Sequence, residues 1–288
     1  FMNKSTLLLG LCLALAPMAG AQTLNKQGGI SSQTLQKIVK AQESAPVNKA
    51  LFNALAANKI DDLAKNFANK GLFDSHFSVE TPKQSIHNQK SSGRCWMFSS
   101  FNVLRADFAR RHADSLRVDF SHDYLFFYDQ LEKANLMLQG VLDNAKKPID
   151  DPRLQFFFRS PLNDGGTFCG VADLAPKYGL VPMSAQPETY TAENTSKLRS
   201  LLSSKLREYG LELYRMAAAG KKQQAIAERK TEMLSTIYRM LSIALGEPVK
   251  EFTYQFRNKN GRAVGAPRRF TPKSFYDEVV GNPIKGTF

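Results

Sequence analysis

The sequence predicts an α+β protein, and three observations carry that prediction. Behind Cys95 the apolar residues Met97, Phe101, Leu104 and Phe108 recur at helical spacing. Between Lys197 and Leu245 two more long helices are legible, divided at Gly220. Shorter runs, Phe77–Glu80 and Phe252–Phe256, alternate as strands do.

Taken in order, residues 1–21 read as a segment outside the fold. Lys4 precedes an apolar run from Leu7 to Ala16, and Ala19-Gly20-Ala21 offers the small residues of a signal-peptidase site. The run is too short to span a bilayer, and no other stretch is long and apolar enough. Residues 22–75 form an N-terminal arm with helical pieces at Ser32–Lys40 and Asn48–Ala68, broken by Pro46. Residues 76–196 hold the Cys-bearing lobe. It opens on the strand-like Phe77–Glu80, ended by Thr81-Pro82, and continues into the Cys95 helix. Ser121-His122-Asp123 then caps a second helix, "DYLFFYDQLEKAN", with its aromatic residues on one side. Asp150–Arg153 reads as a turn before the apolar run Leu154–Phe158, and a helix from Val171 to Tyr178 follows, with Cys169 at its start as a buried packing residue. Gly179 and Pro182 turn the chain.

Residues 197–250 are a helical insertion of two helices, Lys197–Ala219 and Lys221–Leu245. The second carries Ile226, Met233, Ile237, Met240 and Ala244 at heptad-like spacing. Residues 251–288 close the chain with the strand Phe252–Phe256, a hairpin turn at Asn260-Gly261, and a short helix opened by Thr271-Pro272 and reaching Val280.

The charge is unevenly spread. The chain has 288 residues and a net charge of +13. Lys197–Lys273 alone holds 17 Lys or Arg against six Glu and no Asp, a net of +11. Such a block suits nucleic acid, an acidic surface or an acidic neighbour in an oligomer, and equally a solvated face of long helices. Neither His nor Cys residues cluster at ligand spacing, so no metal constellation is visible in the sequence.

The chemistry is densest at Gln89-Lys90-Ser91-Ser92-Gly93-Arg94-Cys95-Trp96. A cysteine at the first turn of a buried helix meets unpaired N–H groups and the positive end of the helix dipole, which favour a thiolate over a thiol. Gln89 lies six residues upstream across a Ser-Ser-Gly turn that can fold its amide back over the sulfur. A neutral amide donor there suits the oxyanion formed when a thiolate attacks a carbonyl. Farther on, Asn163-Asp164-Gly165-Gly166 brings bare backbone close to something. Its N–H and C=O groups could pair with a peptide laid alongside as a strand, or the segment is a plain Asp-Gly-Gly turn.

The segment "NQKSSGRCW" resembles the active-site stretch of papain-like cysteine peptidases, and more narrowly that of the bleomycin hydrolase and aminopeptidase C family. "YLFFYD" followed by "LEKAN" is similar to the same branch. The resemblance implies a papain-like α+β fold, with Cys95 as nucleophile and Gln89 in the oxyanion hole. It also implies that Trp96, Gly165 and Gly166 contact substrate. By resemblance, the enzyme is a homohexamer that removes N-terminal residues from peptides and needs no cofactor. Secreted papain relatives usually carry a disulfide near this site, and the positions matching its ends hold Ser92 and Asn163. Their joint absence fits the mostly intracellular branch and sits oddly with an export signal.

The histidines are His76, His87, His112 and His122, and none occupies a position resembling the family's base. The sequence is therefore expected to hold the Cys-bearing part without the His/Asn part, and to be inactive alone. His87 lies eight residues before Cys95, in the entry loop. The rival readings are a non-catalytic basic helical module for binding or assembly, and another thiol amidase or acyltransferase on the same scaffold. The reading of residues 1–21 gives an exported protein, with a cytoplasmic one as the alternative from the family. If the site is cleaved, mass spectrometry of the periplasmic or secreted fraction will show an N-terminus at Gln22. Only uncleaved cytoplasmic protein would refute export.

Overall fold

The structure is a computed structural model, and it describes residues 28–43, 47–72, 74 and 76–281. The expected signal segment lies outside the described residues. The chain divides into two compact units, 1–77 and 78–288.

In the first unit three α-helices are described: α1 (Ser32–Glu43), α2 (Lys49–Ala57) and α3 (Ile60–Leu63). Asn48 caps α2 by accepting from the N–H groups of Ala50 and Leu51. The expected single helix from Asn48 to Ala68 is broken at Asn58, whose extended backbone ends α2. No residue of these helices is buried, so Leu35, Ile38, Val39, Leu51 and Phe52 face outward.

The second unit is built around α5 (His122–Asp143), which follows α4 (Cys95–Arg111) and the short strand β1 (Leu116–Arg117). Ser121 accepts from the Tyr124 N–H at 3.1 Å and Asp123 sits in the first turn, so α5 starts where its cap residues predict. It packs on α6 (Pro152–Arg159), α7 (Phe168–Tyr178), α9 (Ser196–Ala218) and α10 (Gln223–Leu245), with α8 (Tyr190–Glu193) leading into α9. Phe127, Leu138 and Val141 are fully buried in this packing. Gly140 is required there, because an added Cβ would lie 2.2 Å from the Phe157 ring.

Helix α4 buries Met97, Phe101, Leu104 and Phe108, the stripe expected from their spacing. The α9–α10 hairpin turns at Gly220, which has φ +67°. On α10 the buried seam is Ile226, Met233, Ile237, Leu241 and Leu245, while Met240 and Ala244 are only half-buried. A straight helix advances 3.6 residues per turn, so the seam drifts off a strict heptad within three turns.

The strands are short. Antiparallel β2 (Phe252–Tyr254) and β4 (Arg268–Phe270) form one pair, and β1 with β3 (Arg257–Asn258) another. Phe252, Tyr254, Phe256 and Phe270 cluster with Phe275 on the last helix, α11 (Pro272–Val279), which Thr271 and Ser274 close with a capping box.

Three expectations are corrected. Phe77–Glu80 is not a strand: no partner among the described residues pairs with it, and Phe77 and Val79 are 65% and 85% exposed instead of alternating. Asp150–Arg153 is more than a turn, because Asp151 caps the Arg153 N–H and Pro152 occupies the first helical turn of α6. Cys169 is exposed on the first turn of α7, since Val171, Leu174 and Ala175 supply that helix's buried face. Among the described residues no helix is long and apolar enough to cross a membrane. None of their His, Cys, Asp or Glu residues form a group able to hold a metal.

Gly179 joins α7 to the start of α11. Its φ is +80°, and an added Cβ would stand 2.2 Å from the Pro272 carbonyl carbon. Gly179→Ala should therefore destabilise the protein by more than the roughly 1–3 kcal/mol of a strained backbone alone. Urea unfolding measures this, and a loss under about 1 kcal/mol would contradict the packing.

Candidate functional site

The site is assembled on the turn that leads into α4. Lys90 adopts a left-handed conformation with φ +54°, and its N–H donates to Asn88 Oδ1 at 2.7 Å, which tightens the turn. Gln89 and Ser92 then bond reciprocally. Gln89 Nε2 donates to the Ser92 carbonyl at 2.6 Å, and Ser92 Oγ donates to the Gln89 carbonyl at 2.7 Å. The Gln89 amide is thus folded back across the Ser-Ser-Gly turn with its second N–H still available.

Cys95 is the first residue of α4 and is exposed. The Met97 and Phe98 N–H groups donate to the Arg94 carbonyl at 2.9 and 3.1 Å. The N–H groups of Cys95 and Trp96 take no acceptor among the described residues. Two unspent donors therefore sit at the base of the sulfur, at the positive end of the helix.

Two carboxylates, the buried Asp164 and the half-buried Glu188, hold the residues just before Cys95, and neither is signalled by the sequence pattern around the cysteine. Asp164, 8% exposed, accepts the Gly93 N–H at 2.8 Å and the Thr195 hydroxyl at 2.5 Å, with Arg199 Nη1 at 3.2 Å. Burial would raise this carboxyl, but the Thr195 hydroxyl, the backbone N–H groups and Arg199 outweigh it and hold it below the usual range. An added Cβ at Gly93 would lie 2.6 Å from Asp164 Cγ, so glycine is what lets the turn approach the carboxylate. Glu188 grips the neighbouring residue: Arg94 Nη1, fully buried, stands 2.7 Å from Glu188 Oε2. The two atoms form an ion pair out of line for a hydrogen bond. The Arg94 guanidinium is further flanked by the Phe98 and Phe126 rings. Glu188 also accepts the Asp123 N–H at 3.1 Å, tying the start of α5 to the same point. Burial and repulsion from Glu188 push the Asp123 carboxyl up to about 7.

The Asn163–Gly166 segment lies against the Cys helix. Trp96 is buried, and its indole Nε1 donates to the Asp164 carbonyl at 3.0 Å. An added Cβ at Gly166 would come within 2.7 Å of the indole, so this glycine is needed for packing as well as for bare backbone. Lys133 Nζ donates to the Gly165 carbonyl at 2.6 Å while paired with Asp129 at 2.8 Å. Gly166 is exposed, and its N–H and C=O take no partner among the described residues. Cys95, Gln89, Trp96, Gly165 and Gly166 are thus brought into one region, with Trp96 lying under the segment as its support.

The histidines of this unit are engaged by other groups of the protein. His87 Nε2 is 3.5 Å from Asp119, and its ring is edge-on to His122. His122 is stacked on Phe98 with Nδ1 3.5 Å from Glu188. His112 lies 2.8 Å from the Phe108 carbonyl. Burial lowers the pKa of both His87 and His122.

Comparison with known proteins agrees with this arrangement. The model of the Peptidase C1-like family matches residues 29–286. Aminopeptidase C of Lactobacillus delbrueckii subsp. lactis is 34% identical over 252 residues, covering 88% of this chain and 56% of the relative. Human bleomycin hydrolase is 32% identical over 258 residues, with the same coverage of 88% and 56%. The chain spans about half the length of the curated relatives it matches. A crystal structure of PepW from Lactobacillus rhamnosis superposes with a TM-score of 0.80 at 32% identity, covering 88% of this chain and 57% of that one. The fold is therefore the α+β papain-like fold of these enzymes.

The two buried acids should act on stability with opposite signs. Asp164 has a lowered folded pKa, so its contribution is present above the unfolded value near 3.9 and is lost as pH falls through the folded one. Asp123 has a raised folded pKa, so the folded state keeps a proton that the unfolded chain has lost. Stability therefore falls as pH rises from about 4 to about 7. Urea midpoints against pH should show Asp164→Asn flattening the acid limb and Asp123→Asn removing the loss toward neutrality. Identical pH profiles for parent and variants would contradict both assignments.

Proposed function

Since the chain belongs to the Peptidase C1-like family, we propose that Cys95 is the nucleophile of a thiol aminopeptidase of the bleomycin hydrolase and aminopeptidase C type. The observation that carries this reading is the placement of Cys95. It is exposed at a helix start whose last residues are pinned by Asp164 and Glu188, with the Gln89 amide folded across the same turn. A peptide would lie along Gly165–Gly166, where the Gly166 N–H and C=O are open to pairing. The Cys95 sulfur would attack the carbonyl carbon and form a tetrahedral oxyanion. The second N–H of Gln89 and the unspent Cys95 N–H are the donors for that oxygen. Collapse would break the C–N bond, release the amine fragment once it is protonated and leave a thioester on Cys95, which water then hydrolyses.

We assign the general base to none of the four histidines. His87, His112 and His122 are held by Asp119, the Phe108 carbonyl and Glu188. Amide cleavage needs the leaving amine protonated, a step in which acid–base help is worth about 10²–10⁴ in rate. An activated ester needs no such help. The 288-residue chain is thus expected to be acylated by an activated ester and not to cleave amides.

Pre-steady-state mixing with a p-nitrophenyl ester tests this. One equivalent of nitrophenolate per chain should be released in a burst that disappears in Cys95→Ala. Gln89→Ala should slow the burst by about 10²–10³, the usual loss for one oxyanion donor. A burst that survives Cys95→Ala would remove Cys95 from the mechanism.

A further inference from the structure

Beside the Asn163 end of the same segment lies a cavity of about 300 Å³ with an unusual lining. Arg159, Arg199 and Arg207 converge on it, together with Asn163, Ser200 and Ser203. Two of the three arginines have structural duties. Arg207 donates to the Phe158 and Arg159 carbonyls at 2.7 and 3.1 Å, closing the last turn of α6. Arg199 reaches Asp164 at 3.2 Å. The Arg159 guanidinium is exposed and takes no partner among the described residues. The nearby acid, Asp164, is already committed to Gly93 and Thr195. The cavity therefore carries three guanidinium charges against the one Asp164 carboxylate that pairs with Arg199, which leaves a surplus of positive charge. A concave site of one sign concentrates ligands of the other, and guanidinium forks match carboxylate geometry.

Its position relates it to the cleft. Asn163 lines the cavity, and the open backbone of Gly166 is three residues further on, at most about 10 Å along the chain. A peptide paired with Gly166 would carry a side chain two or three residues away to the mouth of the cavity. We propose that this cavity binds a side-chain carboxylate, so that the Asn163–Gly166 segment selects peptides with Glu or Asp at one register. The proposal rests on the reading above only in taking that segment as a peptide-binding strand.

The test uses the whole chain carrying Cys95→Ala, which prevents turnover. Fluorescence anisotropy is measured with labelled, C-terminally amidated heptapeptides that place a single Glu, or a single Gln, at each position in turn. Amidation removes the terminal carboxylate as a competing ligand. Glu should bind about three- to tenfold more tightly than Gln at one register, the scale of one or two partly exposed charge pairs. The preference should disappear in Arg159→Gln and fall in high salt. Arg159→Glu should favour Lys at that register. Arg159 is exposed and outside the capping and Asp164 bonds, so these variants are expected to fold. Equal binding of Glu and Gln peptides would overturn the proposal, as would a preference for Glu at every position or one that survives in Arg159→Gln. The ester burst is read separately. A burst without register-specific Glu binding would sink the subsite and leave Cys95 standing, and the reverse outcome would do the opposite.

Discussion

The position of the Cys95 sulfur depends on how the two residues before it are held. A helix start is loosely defined by its own backbone, because its first N–H groups have no intrahelical partner and the preceding turn can fray. Here that freedom is removed by side chains from far along the sequence. Asp164 takes the Gly93 N–H across 71 residues, and Glu188 takes the Arg94 guanidinium. Ser92 is tied to Gln89 in the same turn. Each residue from Ser92 to Arg94 therefore has its own tether, and Cys95 is the first residue beyond them.

Those tethers need a rigid frame, and α5 supplies it. Its N-terminus is fastened to Glu188 through the Asp123 N–H, and its middle carries Asp129 and Lys133, which hold the Gly165 carbonyl. The α9–α10 hairpin packs on α5, and the start of α9 also provides Thr195 and Arg199, the other partners of Asp164. The helices that look like an appendage in the sequence thus brace the carboxylate that holds the turn before Cys95. The Gly-Gly segment is fixed by the same set of contacts, with Trp96 beneath it. The proposed nucleophile and the candidate substrate strand are consequently positioned by one body, the condition for holding reacting atoms in a productive geometry.

Much of this architecture is legible in the amino-acid sequence, for a definite reason. Helix α4, the cap at Ser121, the break at Gly220 and the capping box at Thr271 are local features, written in spacing and in residues next to one another. Cys95 and Gln89 are legible for the same reason, being six residues apart on one turn. The role of Asp164 is not, because its partners Gly93 and Thr195 are 71 and 31 residues away and the glycines beside it dominate the local pattern. Glu188 carries no local signature at all. The strand expected at Phe77–Glu80 fails for the complementary reason: alternation shows what a strand needs on its faces but says nothing about a partner for its edge. The exposure of Cys169 is hidden because periodicity gives a helix's buried face only when its start is known to within a residue.

The charges beneath the site also bear on why it is built this way. A fully buried guanidinium and two carboxyls with little exposure are a poor route to stability, since desolvation offsets most of what their attraction returns. Removing one partner is a different matter, because it strands the other charge in the core. Arg94, Glu188, Asp123 and His122 form such an interdependent set. An apolar core could hold the same helices together, but it could not choose between neighbouring positions of Gly93 and Arg94. Directional bonds from Asp164 and charge pairing from Glu188 do choose. Together they fix one position for Gly93 and Arg94, the residues from which Cys95 projects.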